Sequence, residues 1–433
     1  MMQDRRKINL ITLGCSKNLV DTELLLSQLK GAGYAVVVDA ENAEADTVIV
    51  NTCGFIGDAK EESVETVLEQ VALKNAGKVG KIIVMGCLSQ RYGQELKREI
   101  PEIDALFGKF EGRRIIAYMG KKYDERLRNV REITTPGHFA YLKISEGCNR
   151  HCSYCTIPLI TGVFSSRPFE DIIEEALFLA GKGVRELMVI AQDLSNYGTD
   201  LYGRNRLAEL VEAVSDIPGI RRIRLHYAYP AGFPMELLKV MRERPNVCRY
   251  LDIALQHSSD RMLRLMRRGI TREETKALLR TVRNEVPGIC IRTTMMTGHP
   301  GETEEDFEDL CRFVEEERFE KLGVFPYSHE EGTYCARHYK DDVPDKVKKR
   351  RADRLMEIQA GISGEIASSM LGKRLEVSVD RREGEYYVGR TEFDSYEVDG
   401  EVFFTSEEEL EPGCFCTVFI SGADNYDLYG RKV

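Results

Sequence analysis

No stretch of this 433-residue chain approaches the roughly 18 consecutive apolar residues of a membrane-spanning helix, which argues against helical membrane spans. The start, MMQDRRKINLITLGC, sets basic residues before an apolar run and a cysteine, the outline of a lipoprotein signal. That run is only about seven residues, the lower limit of a signal core, and it passes straight into helix-like sequence. Cysteine is also sparse: twelve in 433 residues are too dilute for a small disulfide scaffold. The expectation is a cytoplasmic, redox-protected protein of two or three domains, long enough to bury a large core.

What the chain does have is three cysteines in eight residues, Cys148, Cys152 and Cys155, in the run EGCNRHCSYC. They supply three thiolates where a closed zinc or iron-sulfur site takes four ligands. No second C-x-x-C pair lies nearby, and His151 adjoins Cys152 too directly to chelate the same ion. Three ligands on a 4Fe-4S cluster leave one iron free to bind a small molecule. A zinc knuckle or a chance grouping is the alternative.

A second set is scattered in sequence but regular in context. Cys15 follows INLITLG, Cys53 follows TVIVNT and Cys87 follows KIIVMG, and each run is short and largely β-branched, as a buried parallel strand is. Helix-like segments follow each: NLVDTELLLSQLKGAG, DAKEESVETVLEQVALKNAG and LSQRYGQELKREI. The alternation predicts an open parallel sheet with all three cysteines just past the carboxyl ends of strands, where ligands bind in such folds. Each cysteine alone also reads as a small buried hydrophobe; the threefold repeat of the placement is what points to a site.

After ITTPGH (133–138), the runs FAYLKIS, RELMVIAQ, RRIRLHY, RYLDIAL, CIRTTMMTG and KLGVFPY alternate with amphipathic helical segments. Six such units predict a partial parallel barrel whose functional loops lie at the carboxyl ends of its strands. Polar residues recur at those ends: Gln192 and Asp193, His226, Gln256 and His257, and the run GHPGET from Gly298 to Thr303. Gln192 and Gln256 are candidate cofactor contacts, or satisfy local backbone. GHPGET is a candidate cofactor loop, or a turn that ends on the N-cap Thr303. Cys248, Cys290, Cys311, Cys335, Cys414 and Cys416 have no partner spacing and read as core or incidental.

From about Lys373 the chain turns to short alternating segments, RLEVSVD, YYVGRT, EVFFT and FCTVFISG, which predict a small all-β module. The segment before it, VPDKVKKRRADRLMEIQAGISGEIASSM, reads as a linking helix whose KVKKRR run is a solvated face. Residues 373–433 hold seven Lys or Arg against fifteen Asp or Glu, a net charge of −8 out of −10 for the chain. A module gripping RNA through phosphates is expected to be basic, so an acidic one favours a cationic protein partner.

The fold class is therefore α/β. An N-terminal open parallel sheet (1–133) precedes a partial (βα)6 barrel with a linker helix (134–370) and a small all-β barrel (371–433). The C-x3-C-x2-C spacing, with Tyr154 before its last cysteine, resembles that of radical S-adenosylmethionine enzymes. The whole chain, from Lys7 to about Gly430, resembles their methylthiotransferase family. It does so on the runs LGCSKNLVDTE (13–23), YLKISEGCNRHCSYCTIP (141–158), IAQDLSNYG (190–198), LHYAYP (225–230), LDIALQHSS (251–259), GVFPYSHEEGT (323–333) and GRTEFDSYEVDG (389–400). The closest match within it is the type that modifies protein twelve of the small ribosomal subunit. The alternative is the MiaB type, which modifies tRNA adenosine and typically has Q-S-G-S where this chain has Gln256, His257, Ser258 and Ser259. Ser16 and Ala254 stand where the closer type often has Pro.

The resemblance implies a C-terminal TRAM barrel and two 4Fe-4S clusters. Cys148, Cys152 and Cys155 would hold the radical-generating cluster, and Cys15, Cys53 and Cys87 an auxiliary one. It implies two uses of S-adenosyl-L-methionine, with Tyr154, Gln192 and Gln256 as candidate contacts. The methylthio group would go to the β-carbon of an aspartate in the ribosomal protein. An electron donor such as a flavodoxin is a further implied partner; RNA contact is not favoured.

Overall fold

The structure is a computed structural model that describes residues 6–41 and 44–433. The basic start of the chain, up to Arg5, lies outside the described residues. The first sheet has five parallel strands in the order β2-β1-β3-β4-β5: Lys7–Thr12 (β1), Ala35–Val38 (β2), Ala45–Thr52 (β3), Val79–Gly86 (β4) and Ala105–Leu106 (β5). The predicted runs form β1, β3 and β4 at its centre, and each leads into a predicted helix, Ser16–Gly31, Gly57–Asn75 or Cys87–Glu99. β2 and β5 escape a pattern-based reading because four and two residues are too short to show a period.

The middle of the chain forms six strands that neighbour one another in sequence order, all parallel. They are Phe139–Lys143 (β6), Glu186–Ile190 (β9), Arg222–Ala228 (β10), Val247–Gln256 (β11), Cys290–Thr297 (β12) and Lys321–Pro326 (β13). A two-residue ladder of Ser145–Glu146 (β7) with Ser165–Ser166 (β8) closes the loop after β6. Alternation on β6 sends Ala140 and Leu142 into the core with Ile172, Ala176 and Leu179 of the helix Phe169–Gly181, leaving Tyr141 and Lys143 for the barrel interior.

The last segment is a closed barrel of Arg374–Glu383 (β14), Tyr386–Arg390 (β15), Val402–Thr405 (β16), Phe415–Ala423 (β17) and Leu428–Lys432 (β18). Four of these are the predicted runs; β18, with its central Gly430, lacks a strand-like alternation. The helix Asp345–Ser368 links the two barrels. Its KVKKRR run is in part the expected solvated face, with Lys346, Lys349 and Arg350 exposed, but two of its cations turn inward. Lys348 is buried against Asp341 and Asp345, and Arg351 is buried on Glu302 at 2.6 Å.

Part of the charge of the C-terminal module has a different use from the one expected. The segment from Arg390 to Asp399 plugs the partial barrel of β6 and β9–β13 at the end where its strands begin. Arg222 and Arg224 donate to the Arg390 and Glu392 carbonyls at 2.7 Å each, and Lys321 pairs with Asp394 at 2.7 Å. Tyr250 donates to Asp399 at 2.7 Å, and Arg390 bridges Glu186 at 3.0 Å and Asp380 at 2.7 Å. Several of the module's carboxylates thus neutralise the barrel's own buried cations. Asp394 and Asp399 face inward and do not belong to a docking surface; Glu397 and the run from Glu407 to Glu409 are exposed.

Candidate functional site

The three N-terminal cysteines stand at the carboxyl edge of the first sheet because each strand there ends in a tight connection to its helix. Cys15 is the N-cap of Ser16–Gly31, Cys53 follows β3 directly, and Cys87 opens Cys87–Glu99. Their loops touch. A Cβ on Gly14, whose φ is +87°, would lie 2.9 Å from the Cys53 sulfur, and one on Gly54 would lie 2.7 Å from the Leu88 nitrogen. Asn18 ties all three: its Nδ2 donates to the Leu13 and Thr52 carbonyls, and its Oδ1 accepts from Cys87 Sγ at 3.5 Å. Burial pushes the Cys87 thiol up to about 12 against the pull of the Lys109 ammonium, with Cys15 and Cys53 adding to the rise. Burial likewise raises Cys53, and Cys15 adds to it.

Cys148, Cys152 and Cys155 lie in the loop after β7. Arg150 N donates to Cys148 Sγ at 3.4 Å, and Cys155 N donates to the Cys152 carbonyl at 3.1 Å. Burial, then Cys152, raises the Cys155 thiol to about 12. Arg268 sits beside this loop: it donates to Cys152 Sγ at 3.2 Å and to the buried Tyr154 hydroxyl at 3.3 Å, and its guanidinium stacks 4.1 Å from the Tyr229 ring centroid. It also donates to the Ala254 carbonyl. A fixed cation beside the loop favours anionic sulfur there. Arg268 carried no signal in the sequence, being one arginine in a run of charged residues between helices.

The two loops face each other. Thr156, next to Cys155, donates to the Phe55 carbonyl at 3.4 Å, two residues beyond Cys53. Below them, Asp21 and Lys109 of the first domain pair at 3.2 Å, and Lys143 at the end of β6 also pairs with Asp21. Glu330 clamps the other side, accepting from Arg91 at 2.7 Å and Lys60 at 2.9 Å.

Gln192 and Gln256 are not spent on local backbone. Gln192 Nε2 donates to Glu146 Oε2 at 2.8 Å, two residues from Cys148, while its Oε1 is buried without a partner. Among the described residues the Gln256 side chain makes no hydrogen bond. Its φ is +74°, where the ladder slips between Ile253 and Gln256. Such strain and bulges collect at functional edges. His226 and His257 go elsewhere, to Ser395 at 3.2 Å and Glu302 at 3.2 Å. Thr303 caps the helix Glu304–Glu317 in a reciprocal box with Asp306, the turn reading of GHPGET, while His299 of that run lies under the cysteine loop, 3.1 Å from Ser153 Oγ. Cys248, Cys290, Cys311, Cys335 and Cys416 are buried, and Cys414 is partly buried.

Among the described residues no three His, Cys, Asp or Glu side chains gather tightly enough for a single metal ion. A cubane's thiolates bind separate irons, and two trios of cysteines on convergent loops fit that donor set. No helix among the described residues is long and apolar enough to cross a membrane.

A partial parallel barrel carrying a C-x3-C-x2-C loop after its first strand is the architecture of a radical S-adenosylmethionine enzyme. The family models agree: Radical SAM superfamily matches residues 142–314, Uncharacterized protein family UPF0004 matches 7–108, and TRAM domain matches 371–433. Two solved structures share the fold at low identity. The radical S-adenosylmethionine methyltransferase TsrM from Kitasatospora setae has a TM-score of 0.58 and 14% identity, over 77% of this chain and 74% of that one. The cobalamin-dependent enzyme OxsB has a TM-score of 0.53 and 15% identity, over 83% of this chain and 56% of that one.

Full-length relatives narrow the class. The ribosomal protein uS12 methylthiotransferase RimO of Porphyromonas gingivalis is 57% identical over 431 residues, 99% of each chain. That of Bacteroides thetaiotaomicron is 56% identical over 428 residues, 99% of this chain and 98% of the other. The chain belongs to the RimO family of radical S-adenosylmethionine methylthiotransferases.

Proposed function

We propose that this protein transfers a methylthio group to the β-carbon of an aspartate in ribosomal protein uS12, using two 4Fe-4S clusters and two molecules of S-adenosylmethionine. The observation that carries the reading is the pair of facing cysteine trios, joined through the contact of Thr156 with Phe55. Cys148, Cys152 and Cys155 would hold one cluster with an open iron for S-adenosylmethionine, and Cys15, Cys53 and Cys87 the other. When bound, these groups supply a 5'-deoxyadenosyl radical strong enough to take hydrogen from an unactivated carbon, and the sulfur to be transferred.

The chain's own residues hold the parts. Arg268 places a fixed positive charge on Cys152 and on the Tyr154 hydroxyl, anchoring the loop. Gln192 with its free Oε1, Gln256 with its free amide, and Tyr154, held by Arg268, are the candidate contacts to S-adenosylmethionine. The Asp21, Lys109 and Lys143 pairs and the Glu330 clamp tie the first domain to the barrel beside the two trios. Relatives named for uS12 at 57% identity favour the ribosomal protein over the tRNA substrate of the MiaB alternative. The setting implied is cytoplasmic, with a reductant such as a flavodoxin.

The test is mass spectrometry after incubation of the anaerobically reconstituted full chain with uS12 or with tRNA. Methylthiolated aspartate in uS12 is expected; methylthiolated tRNA with unmodified uS12 would reverse the assignment.

A further inference from the structure

Lys17 is a buried cation that no side-chain carboxylate pairs among the described residues. Two residues after Cys15, it is 7% exposed. Its Nζ lies instead over the Tyr227 ring, 3.0 Å from the centroid. The nearest carboxylate along its helix, that of Asp21, is already engaged by Lys109 and Lys143. An aromatic face returns only part of the hydration that a buried ammonium loses, so a carboxylate that reaches Lys17 is favoured.

Tyr227 is itself held out of the ordinary. Its backbone is left-handed, at φ +68°, and the β10 ladder slips between Leu225 and Ala228. Asp252 Oδ2 accepts its backbone N–H at 3.1 Å, which fixes the turn. For a bulky aromatic residue such a backbone is strained, and the strain persists only because the surroundings enforce it. The result presents the ring, 39% exposed, toward the first domain.

The pair joins the two elements that carry the cysteine trios' neighbours. Lys17 is in the first turn after Cys15, and Tyr227 is two residues from Tyr229, whose hydroxyl lies 3.6 Å from Cys152 Sγ. We propose that Lys17 binds the carboxylate of the substrate side chain, selecting an acidic residue and fixing its β-carbon between the two sites. This rests on the methylthiotransferase reading above. Tyr227 holds the ammonium in place before substrate arrives, and the incoming carboxylate pairs with it.

The test compares uS12 with a uS12 in which the acceptor aspartate is asparagine, a neutral isostere, binding to the reconstituted full chain. Wild-type protein is expected to prefer the acidic form by about tenfold to a hundredfold, the range of a charged hydrogen bond. Lys17→Met keeps a stem of similar length under Tyr227 and should abolish the preference, with unchanged affinity for S-adenosylmethionine and an equal or higher melting temperature. Lys17→Arg should keep most of the preference. A Lys17→Met protein that still prefers the acidic form overturns the inference. So does one that loses S-adenosylmethionine affinity, which would assign the cation to the cofactor's carboxylate. Failure of the wild-type chain to methylthiolate uS12 at all is a separate result and strikes the functional reading.

Discussion

Asn18 Oδ1 accepts the Cys87 thiol at 3.5 Å while Nδ2 of the same amide donates to the Thr52 carbonyl at 3.1 Å. One buried side chain therefore joins the ends of β1, β3 and β4, and the backbone carbonyl of Asn18 accepts from Asn51 Nδ2 at 2.9 Å. The cysteine that each strand delivers is positioned by this amide rather than by the strands alone.

Asn18→Ala removes both donors and leaves the Leu13 and Thr52 carbonyls without them, at about 1–3 kcal/mol for each buried group. The expected outcome is a lower melting temperature and faster loss of iron from the N-terminal trio under a chelator, with 5'-deoxyadenosine production retained. Iron release at the wild-type rate would show that the amide does not hold the trio.

Replacing one trio at a time tests the ligand assignment. Cys148, Cys152 and Cys155 to Ala should leave about half the iron of the reconstituted chain and no cleavage of S-adenosylmethionine. Cys15, Cys53 and Cys87 to Ala should also leave about half the iron, but abolish methylthio transfer while retaining some cleavage. Full iron content in either folded triple variant would remove that trio from the ligand set.

Much of this site is legible in the sequence, for a physical reason. β-branched runs followed by helical patterns place a residue at a strand end from local information alone, so Cys15, Cys53 and Cys87 and the loop of Cys148 fall where expected. What joins them is not local. Arg268, Asn18 and Lys17 act through partners 114, 34 and 210 positions away, which no periodicity records. The same holds for Asp394 and Asp399: by composition they belong to an acidic surface, yet folding turns them onto Lys321 and Tyr250. Charge counts do not distinguish a carboxylate facing solvent from one facing a buried cation.

Glu186 is the clearest of these internal charges. Buried, it is nonetheless held down at about 2, because Arg390, Arg224 and Arg222 outweigh the burial that would raise it. Its stabilising contribution is full above the ordinary carboxylate value and is lost as pH falls through about 2. Glu186→Gln strands buried guanidinium groups and should cost about 3–5 kcal/mol at pH 7. The loss should shrink toward pH 2, where the wild-type carboxylate is itself protonated. Urea unfolding at both pH values measures the difference, and an equal loss at each would mean that the ion pair is not its source.

With Asp394 and Asp399 committed to the barrel, Glu397 with Glu407, Glu408 and Glu409 remain among the module's exposed acidic residues. Exposed charges act weakly one by one and are screened over roughly 10 Å at 0.1 M salt, so any attraction for a basic ribosomal protein must come from several together. Changing all four to Lys should weaken uS12 binding several-fold at low salt and flatten its salt dependence. Cleavage of S-adenosylmethionine without substrate, and the melting temperature, should change little, since all four side chains are exposed. Changing Asp394 to Lys should instead lower the melting temperature, because it sets two cations face to face at Lys321. Binding and salt slope that survive the fourfold change would place uS12 recognition elsewhere on the molecule.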